Sequence, residues 1–455
     1  MTFLDRVAKY LFILSAVFLT IGGAFVYGVV ASSKDLQPVP LLRTVLVDIG
    51  NIGLFDEVPF SVRNHLQPSR GQGNGVTKNV TDDDNLVFMM GFFDGENQAR
   101  LIERDGTIIQ RWSLDYLKHF PDAESRPCAV SSPLDVDTHG ALVTPHGELV
   151  FNYEYCGTVK LTQCGEVVWA VDEYTHHSVT RAEKGGYWVL GRTLWEPSHE
   201  PDRFRPFSAT LSTGTIKEDT ILRISEDGEI LERTSIPELM REGGLLPILT
   251  ATGSSFDAGS VGPDEPVHAN KIAELSSRFS DSFPLFRAGD LMISMRELNF
   301  IMVIDRETHA VKWHQTGPWL RQHDPEFRSD GRISVFNNNT FSTAYKNRRT
   351  DLSTPFSTNI ILVDPATSET EVRFGESTGQ EMLSVIRGQH ELLPDDGMII
   401  TEFDGGRVIE VDGSGMIVWE YVNQFNDQYV GEITNADLFP RNFFGNNLAG
   451  FDTCQ

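Results

Sequence analysis

A recurring unit constrains this chain more than any other feature. One clear copy runs from His139 to Trp169 as HGALVTPHGELVFNYEYCGTVKLTQCGEVVW. Another runs from His390 to Trp419 as HELLPDDGMIITEFDGGRVIEVDGSGMIVW. The same ending recurs as GTIIQRW at Trp112 and as THAVKW at Trp313. A fifth unit, near residues 177 to 235, contains DTILRISEDGEILER and lacks the Trp. A sixth, near 323 to 375, contains NIILVDPATSETEVRF. Each unit offers three or four short strands between Gly, Asp and Asn turns. The shortest copies repeat at about 40 residues, the period of a propeller blade. One such sheet cannot bury two apolar faces alone, so the units must stack around an axis until a ring closes. The predicted fold is all-β, a six-bladed β-propeller over residues 84–455. The repeated Trp residues are expected to wedge between blades as packing. Only Ile236 to Arg241 reads as a short helix. Insertions around residues 195 to 215, 240 to 265 and 341 to 358 are candidate lids, substrate walls or partner surfaces.

The N-terminus breaks the pattern. Tyr10 to Ala31 reads YLFILSAVFLTIGGAFVYGVVA with no charge. Roughly 20 apolar residues match the bilayer's hydrocarbon thickness. Arg6 and Lys9 precede the run, which favours a cytoplasmic N-terminus and an exported remainder. Residues 1–33 are thus expected to be a cytoplasmic tip and single-pass anchor in the cytoplasmic membrane, with the propeller on the periplasmic side. A cleaved signal peptide is the rival; its apolar core is usually shorter, and Ala31-Ser32-Ser33 is a mediocre cleavage site. Residues 34–83 read as a stalk, because Gln67 to Asp84 is polar, Gly-rich and aperiodic.

A formal charge of −26 argues against nucleic acid and anionic lipid surfaces as partners. A small anion needs a local pocket of Arg and His instead. The four cysteines, Cys128, Cys156, Cys164 and Cys454, form no CxxC motif. In an exported domain, Cys128, Cys156 and Cys164 are near enough in sequence for one disulfide. Free buried thiols are the equal alternative. Oligomeric state is not readable.

Histidines start several blades at similar register: His139, His176-His177, His268, His323 and His390. Innermost strands border the central channel, so these side chains are expected to converge at one mouth. A lone histidine in a blade is usually structural, and His139, in the shortest blade, is the best candidate for that role. Arg296 and Arg192 fall near strand ends in the His268 and His177 blades. Each suits a tetrahedral oxyanion, or an ion pair with a neighbouring carboxylate. Asn270 offers an amide donor.

These segments resemble the bacterial arylsulfate sulfotransferases that work without the nucleotide sulfate donor. The resemblance spans most of residues 85 to 425. It is carried by DEYTHHSVTRAEKGGYWVLGRT, by PVHANKI, by the strand ending at Arg296 with VIDRETHAVKWHQTGP, and by RQHDPEFRSDGRISVFNNNT. It implies a six-bladed propeller passing a sulfuryl group between phenols through a sulfohistidine, with no cofactor and no metal. It implies His323 as nucleophile, with His268, His177 and Arg296 as acid–base and sulfate-binding groups. His176, Asn270, Arg192 and His390 are the further expected substrate contacts; Asn270 matches the family's His-x-Asn segment, and His390 has no assigned counterpart. The family's FDNG becomes Phe336-Asn337-Asn338-Asn339, which removes a carboxylate. Two other classes compete: a non-catalytic propeller binding a glycan or protein, and a metal- or quinone-dependent propeller enzyme with converging imidazoles.

Overall fold

Apolar runs such as LMISM and FIMVI are buried along their whole length, at Leu291–Met295 and Phe300–Ile304. A strand buried on both faces needs a covering sheet on each side, and stacked blades supply it. The computed structural model describes residues 3–33, 60–122, 128, 130–196, 215–251, 265–340, 345–346, 349–350, 352–353 and 355–454. Most of the three insertions lies outside these residues. The short helix does not, and spans Ile236–Glu242. Contacts divide the chain into residues 1–64 and 65–455.

The second unit holds six antiparallel sheets of four or five strands, the six blades. Their innermost strands are Ile433–Phe439 (blade 1), Thr138–Val143 (blade 2), His176–Arg181 (blade 3), Ala269–Glu274 (blade 4), His323–Phe327 (blade 5) and Gln389–Leu392 (blade 6). Both ends of the chain close the ring. Ile433–Phe439 pairs with Leu86–Phe93 to complete blade 1. Gly75–Asn79 pairs with Ile417–Val422 as a fifth strand of blade 6.

Part of the expected stalk is therefore strand, since Leu66–Pro68 also pairs, with Tyr429–Gly431. The sequence GVTKN hid this because a peripheral edge strand is half solvated and needs no apolar stripe.

The repeated Trp residues do lie between blades. Trp112, Trp169 and Trp419 donate their indole N–H to the carbonyls of Thr162, Glu226 and Arg104, each in the following blade's turn. Their rings cover the neighbouring sheet while the polar edge is satisfied. Near the channel, side chains bridge blades to inner-strand backbone. Asn435 accepts from Ala141 N–H, Asn152 donates to His177 O, and Asp219 accepts from Ala269 N–H. Asn270 donates to Gln322 O, and Asp324 accepts from His390 N–H. These bonds satisfy inner-edge groups that the ladder leaves open.

Two disulfides are present, Cys128–Cys156 and Cys164–Cys454. The expectation of one bridge among the first three cysteines missed Cys454, whose partner is 290 residues away in sequence. Ring closure brings the C-terminal turn Gly445–Thr453 beside blade 2, and Phe451 meets Trp112 edge-on.

In the first unit a helix spans Phe3–Ser33. Its Lys9–Ala31 segment has mean hydropathy 2.1 and is unburied, long and apolar enough to cross a membrane. An anchor and a signal sequence share that property.

Candidate active site

The innermost strands are bulged where the histidines lie. Pairing slips between His139 and Ala141, between His176 and Val179, between Ala269 and Lys271, and between His323 and Glu326. A bulge re-aims the side chains around it. His177, His268 and Asp324 also take left-handed backbone conformations, with φ of 54°, 47° and 47°. For residues with a Cβ such conformations are strained, and they concentrate at functional sites.

The result is a cluster around His177. Its ring centroid lies 4.4 Å from His139, 5.0 Å from His268 and 6.3 Å from His323. Gly140 makes the first approach possible: a Cβ there would fall 1.9 Å from His177 O. His139, expected to be structural, therefore belongs to the cluster. A channel cavity of about 40 Å³ is lined by His139, His323, Asn270, Lys271, Asp324 and Asn435 among others. It has room for a few water molecules.

His323 is the best defined. Its Nδ1 is 2.7 Å from Asn338 Oδ1 and 3.1 Å from Arg321 O. A carbonyl only accepts, so Nδ1 carries the proton. The Asn338 amide is fixed as well, because its Nδ2 donates to Ser384 O and Arg387 O. Nε2 is buried with no hydrogen-bond partner, so its lone pair is free. Burial, and then the charge of Arg296, hold the imidazole pKa down to about 3. The imidazole is thus neutral across the physiological range.

His268 Nδ1 meets Glu265 Oε1 at 2.5 Å, while its Nε2 has no partner. Burial and Arg296 lower its pKa against the pull of Glu265. Arg296 follows the second strand of blade 4, and its N–H donates to His268 O. Its guanidinium shares Glu297 with Arg321.

Four expected contacts are placed differently from the sequence reading. His176 stands behind His177, Nδ1 to Nδ1 at 2.7 Å, with its Nε2 toward Gly191 O and Asp219. It is fully buried and orients His177. The Arg192 guanidinium is held by Asp219 and Glu265, so it positions the carboxylate behind His268. Asn270 spends its Nδ2 on Gln322 O and presents Oδ1 to the cavity, an acceptor where a donor was expected. His390 bonds Ser334 Oγ at 2.7 Å and bridges blades 5 and 6, outside the cavity lining. Asn338 and Glu265 were missed as orienting groups. The signals were the FNNN run and the spacing Glu265-x-x-His268.

A family model described as arylsulfotransferase (ASST) matches residues 139–424, more than half of the chain. The chain belongs to the arylsulfotransferase family. The arylsulfotransferase match begins at His139 and covers every imidazole of the cluster. No curated protein matches this chain. Among solved structures, the chain is similar to a protein of unknown function from Bacteroides caccae. That comparison gives 13% identity over 78% of this chain and 99% of the other, with TM-score 0.49. A virginiamycin B lyase from Staphylococcus aureus shares 12% identity over 82% and 98%, with TM-score 0.39. BamB from Moraxella catarrhalis shares 12% over 77% and 72%, with TM-score 0.30.

Proposed function

We propose that this protein transfers a sulfuryl group from an aryl sulfate to a phenolic or other hydroxyl acceptor, with His323 as the transient carrier. One observation carries the reading: His323 has its Nδ1 proton fixed by Asn338 and Arg321 O, and a buried, unpartnered Nε2 under the influence of Arg296. A neutral, oriented imidazole is a competent nucleophile.

In the first half-reaction the Nε2 lone pair attacks sulfur. An N–S bond forms, the S–O bond to the aryl group breaks, and its electron pair leaves on the phenolate oxygen. That oxygen leaves as phenolate and takes its proton from water. In the second half the lone pair of neutral His268, or that of His177, takes the acceptor's hydroxyl proton and passes it to water. The acceptor oxygen attacks sulfur, and the N–S pair returns to His323. Sulfuryl transfer resembles phosphoryl transfer, with charge spread over peripheral oxygens. Arg296 is placed to stabilise that charge, and Asn338 Oδ1 accepts the Nδ1–H that becomes more acidic in the sulfohistidine. Capture on histidine removes the need for a nucleotide donor or a cofactor. In this reading the N-terminal helix holds the propeller on the periplasmic face of the cytoplasmic membrane, where such donors are absent.

The test uses the full chain in detergent with 4-nitrophenyl sulfate and a phenol. Acceptor-dependent release of 4-nitrophenolate is expected, with a sulfuryl adduct on His323 by peptide mass. His323→Ala should lower turnover by about 10³-fold or more. Turnover without any His323 adduct rules out the carrier role.

A further inference from the structure

We propose that His139, Glu154 and His177 form a binding site for a divalent transition metal, with zinc as the first occupant to test. One ligand atom from each side chain lies within 4.8 Å of the others. His139 and His177 lie on the innermost strands of blades 2 and 3. Glu154 follows the second strand of blade 2, and its N–H donates to Asp137 O, which sets it across the sheet from His139. Gly140 lets blade 3 approach until His139 and His177 are 4.4 Å apart. Two imidazoles and one carboxylate make a three-ligand set that zinc accepts with a fourth position open.

The donors are available. His139 is buried, and its Nδ1 has no hydrogen-bond partner. His177 uses Nδ1 on His176, so Nε2 is the nitrogen it offers a metal. Glu154 accepts from Arg387 through Oε2, which orients the carboxylate and leaves its second oxygen for a metal. Arg387 is itself balanced by Asp137 at 2.6 Å and by Glu432.

A neighbouring group shows what a closed cluster looks like. His65, Asp137 and Glu432 also offer ligand atoms within 4.8 Å. There His65 Nδ1 is already bonded to Glu432 and Nε2 to Leu134 O, each at 3.0 Å. No nitrogen remains for a metal. The His139 group differs in that His139 Nδ1 has no hydrogen-bond partner.

The site does not rest on the sulfotransferase reading, although the two share His177. A bound metal removes the His177 lone pair from acid–base work and leaves that task to His268.

The test uses the chelator-stripped full chain, dialysed against zinc chloride, with retained metal counted by mass spectrometry. Cobalt chloride gives a visible absorption band from the same ligands. One zinc per chain is expected. His139→Asn and Glu154→Gln should each weaken zinc binding by at least about 10-fold. His323→Ala should leave it unchanged. Circular dichroism checks each fold, and Glu154→Gln decides if His139→Asn does not fold. A folded wild type that retains no zinc overturns the proposal. So does zinc that survives both ligand substitutions, or zinc that His323→Ala removes. Turnover is assayed on the chelator-stripped chain before zinc is added: zinc retention by a chain that shows no such turnover sinks only the sulfotransferase reading, and turnover by a chain that then retains no zinc sinks only this site.

Discussion

His323 and Glu326 lie three residues apart on the innermost strand of blade 5, yet burial moves their proton equilibria in opposite directions. The His323 pKa falls to about 3, so the ring keeps a lone pair. Glu326, Glu391 and Asp437 are pushed up by burial, Asp437 to about 7, so they tend to keep protons. The cause is the same in both layers, because low dielectric penalises whichever form is charged. Fixed cations then differentiate the layers. Arg296 reinforces the histidines' neutrality. Lys271 stays charged: burial alone would lower its pKa, but Asp324 and Glu326 outweigh that and raise it. Lys271 donates to Asp324 at 2.6 Å and also to Glu326. One channel thus holds a layer of neutral imidazoles beside carboxyl groups, Glu326, Glu391 and Asp437, that burial shifts toward their protonated forms.

The largest expected effect comes from breaking the acidic layer. Lys271→Met strands Asp324 and Glu326 without their cation and should cost about 3–5 kcal/mol. Urea unfolding at pH 7 measures it, and a wild-type midpoint would mean that the layer is not held by this pair.

The second effect sharpens the contrast through pH. Native His139, His177, His268 and His323 all have lowered pKa values. Their unfolded forms protonate near 6.5, so below that pH the unfolded chain binds more protons. Stability should therefore fall as pH drops below about 6.5; His323 contributes about 1.4 kcal/mol per unit down to about 3, and the other three act in the same direction. Asp437 has the opposite sign. It is protonated in the native state up to about 7 but unfolds to a carboxylate of pKa 3.8, so its contribution falls as pH rises between those values. His323→Gln should flatten the acid slope and Asp437→Asn the opposing one. Slopes unchanged in both variants would refute the two-layer picture.

The histidine layer depends next on how His323 is aimed. Asn338→Ala removes the acceptor for His323 Nδ1 and should lower kcat by about 10- to 100-fold, equivalent to about 1–3 kcal/mol. Asn338→Asp places a carboxylate there, which raises the basicity of His323. The acid limb of the rate profile should then move to higher pH. An unmoved limb would make Asn338 a packing residue.

The smallest effect lies outside both layers. Trp419→Phe keeps the ring between blades 6 and 1 but loses the bond to Arg104 O. The cost should be about 1 kcal/mol with no change in the rate–pH profile. A changed profile would mean that the blade junction controls the site.

The blades were legible because their signals are local. Trp112, Trp169, Trp313 and Trp419 mark outer strands by type and spacing, and His139, His177, His268 and His323 recur at matching register. The partners of those side chains were not legible. His390 shares that register yet turns to Ser334, and Arg192 resembles an anion ligand yet is taken by Asp219 and Glu265. Nothing near Cys164 in sequence announces Cys454. The strand at Gly75–Asn79 escaped notice because an edge strand needs no apolar pattern.

What the sequence by itself determined was the alternation of strand and turn, the blade period, the apolar N-terminal helix and the register at which the histidines start the blades. Strand propensity, turn chemistry and burial pattern act over a few residues, so they can be read along the chain. Ring closure decided the rest. It set which imidazoles share one space, which nitrogen of His323 holds the proton, and which carboxylates neutralise which cations. Those outcomes depend on blades that are distant in sequence and adjacent in the ring, and hydrogen-bond geometry and dielectric exist only once they meet.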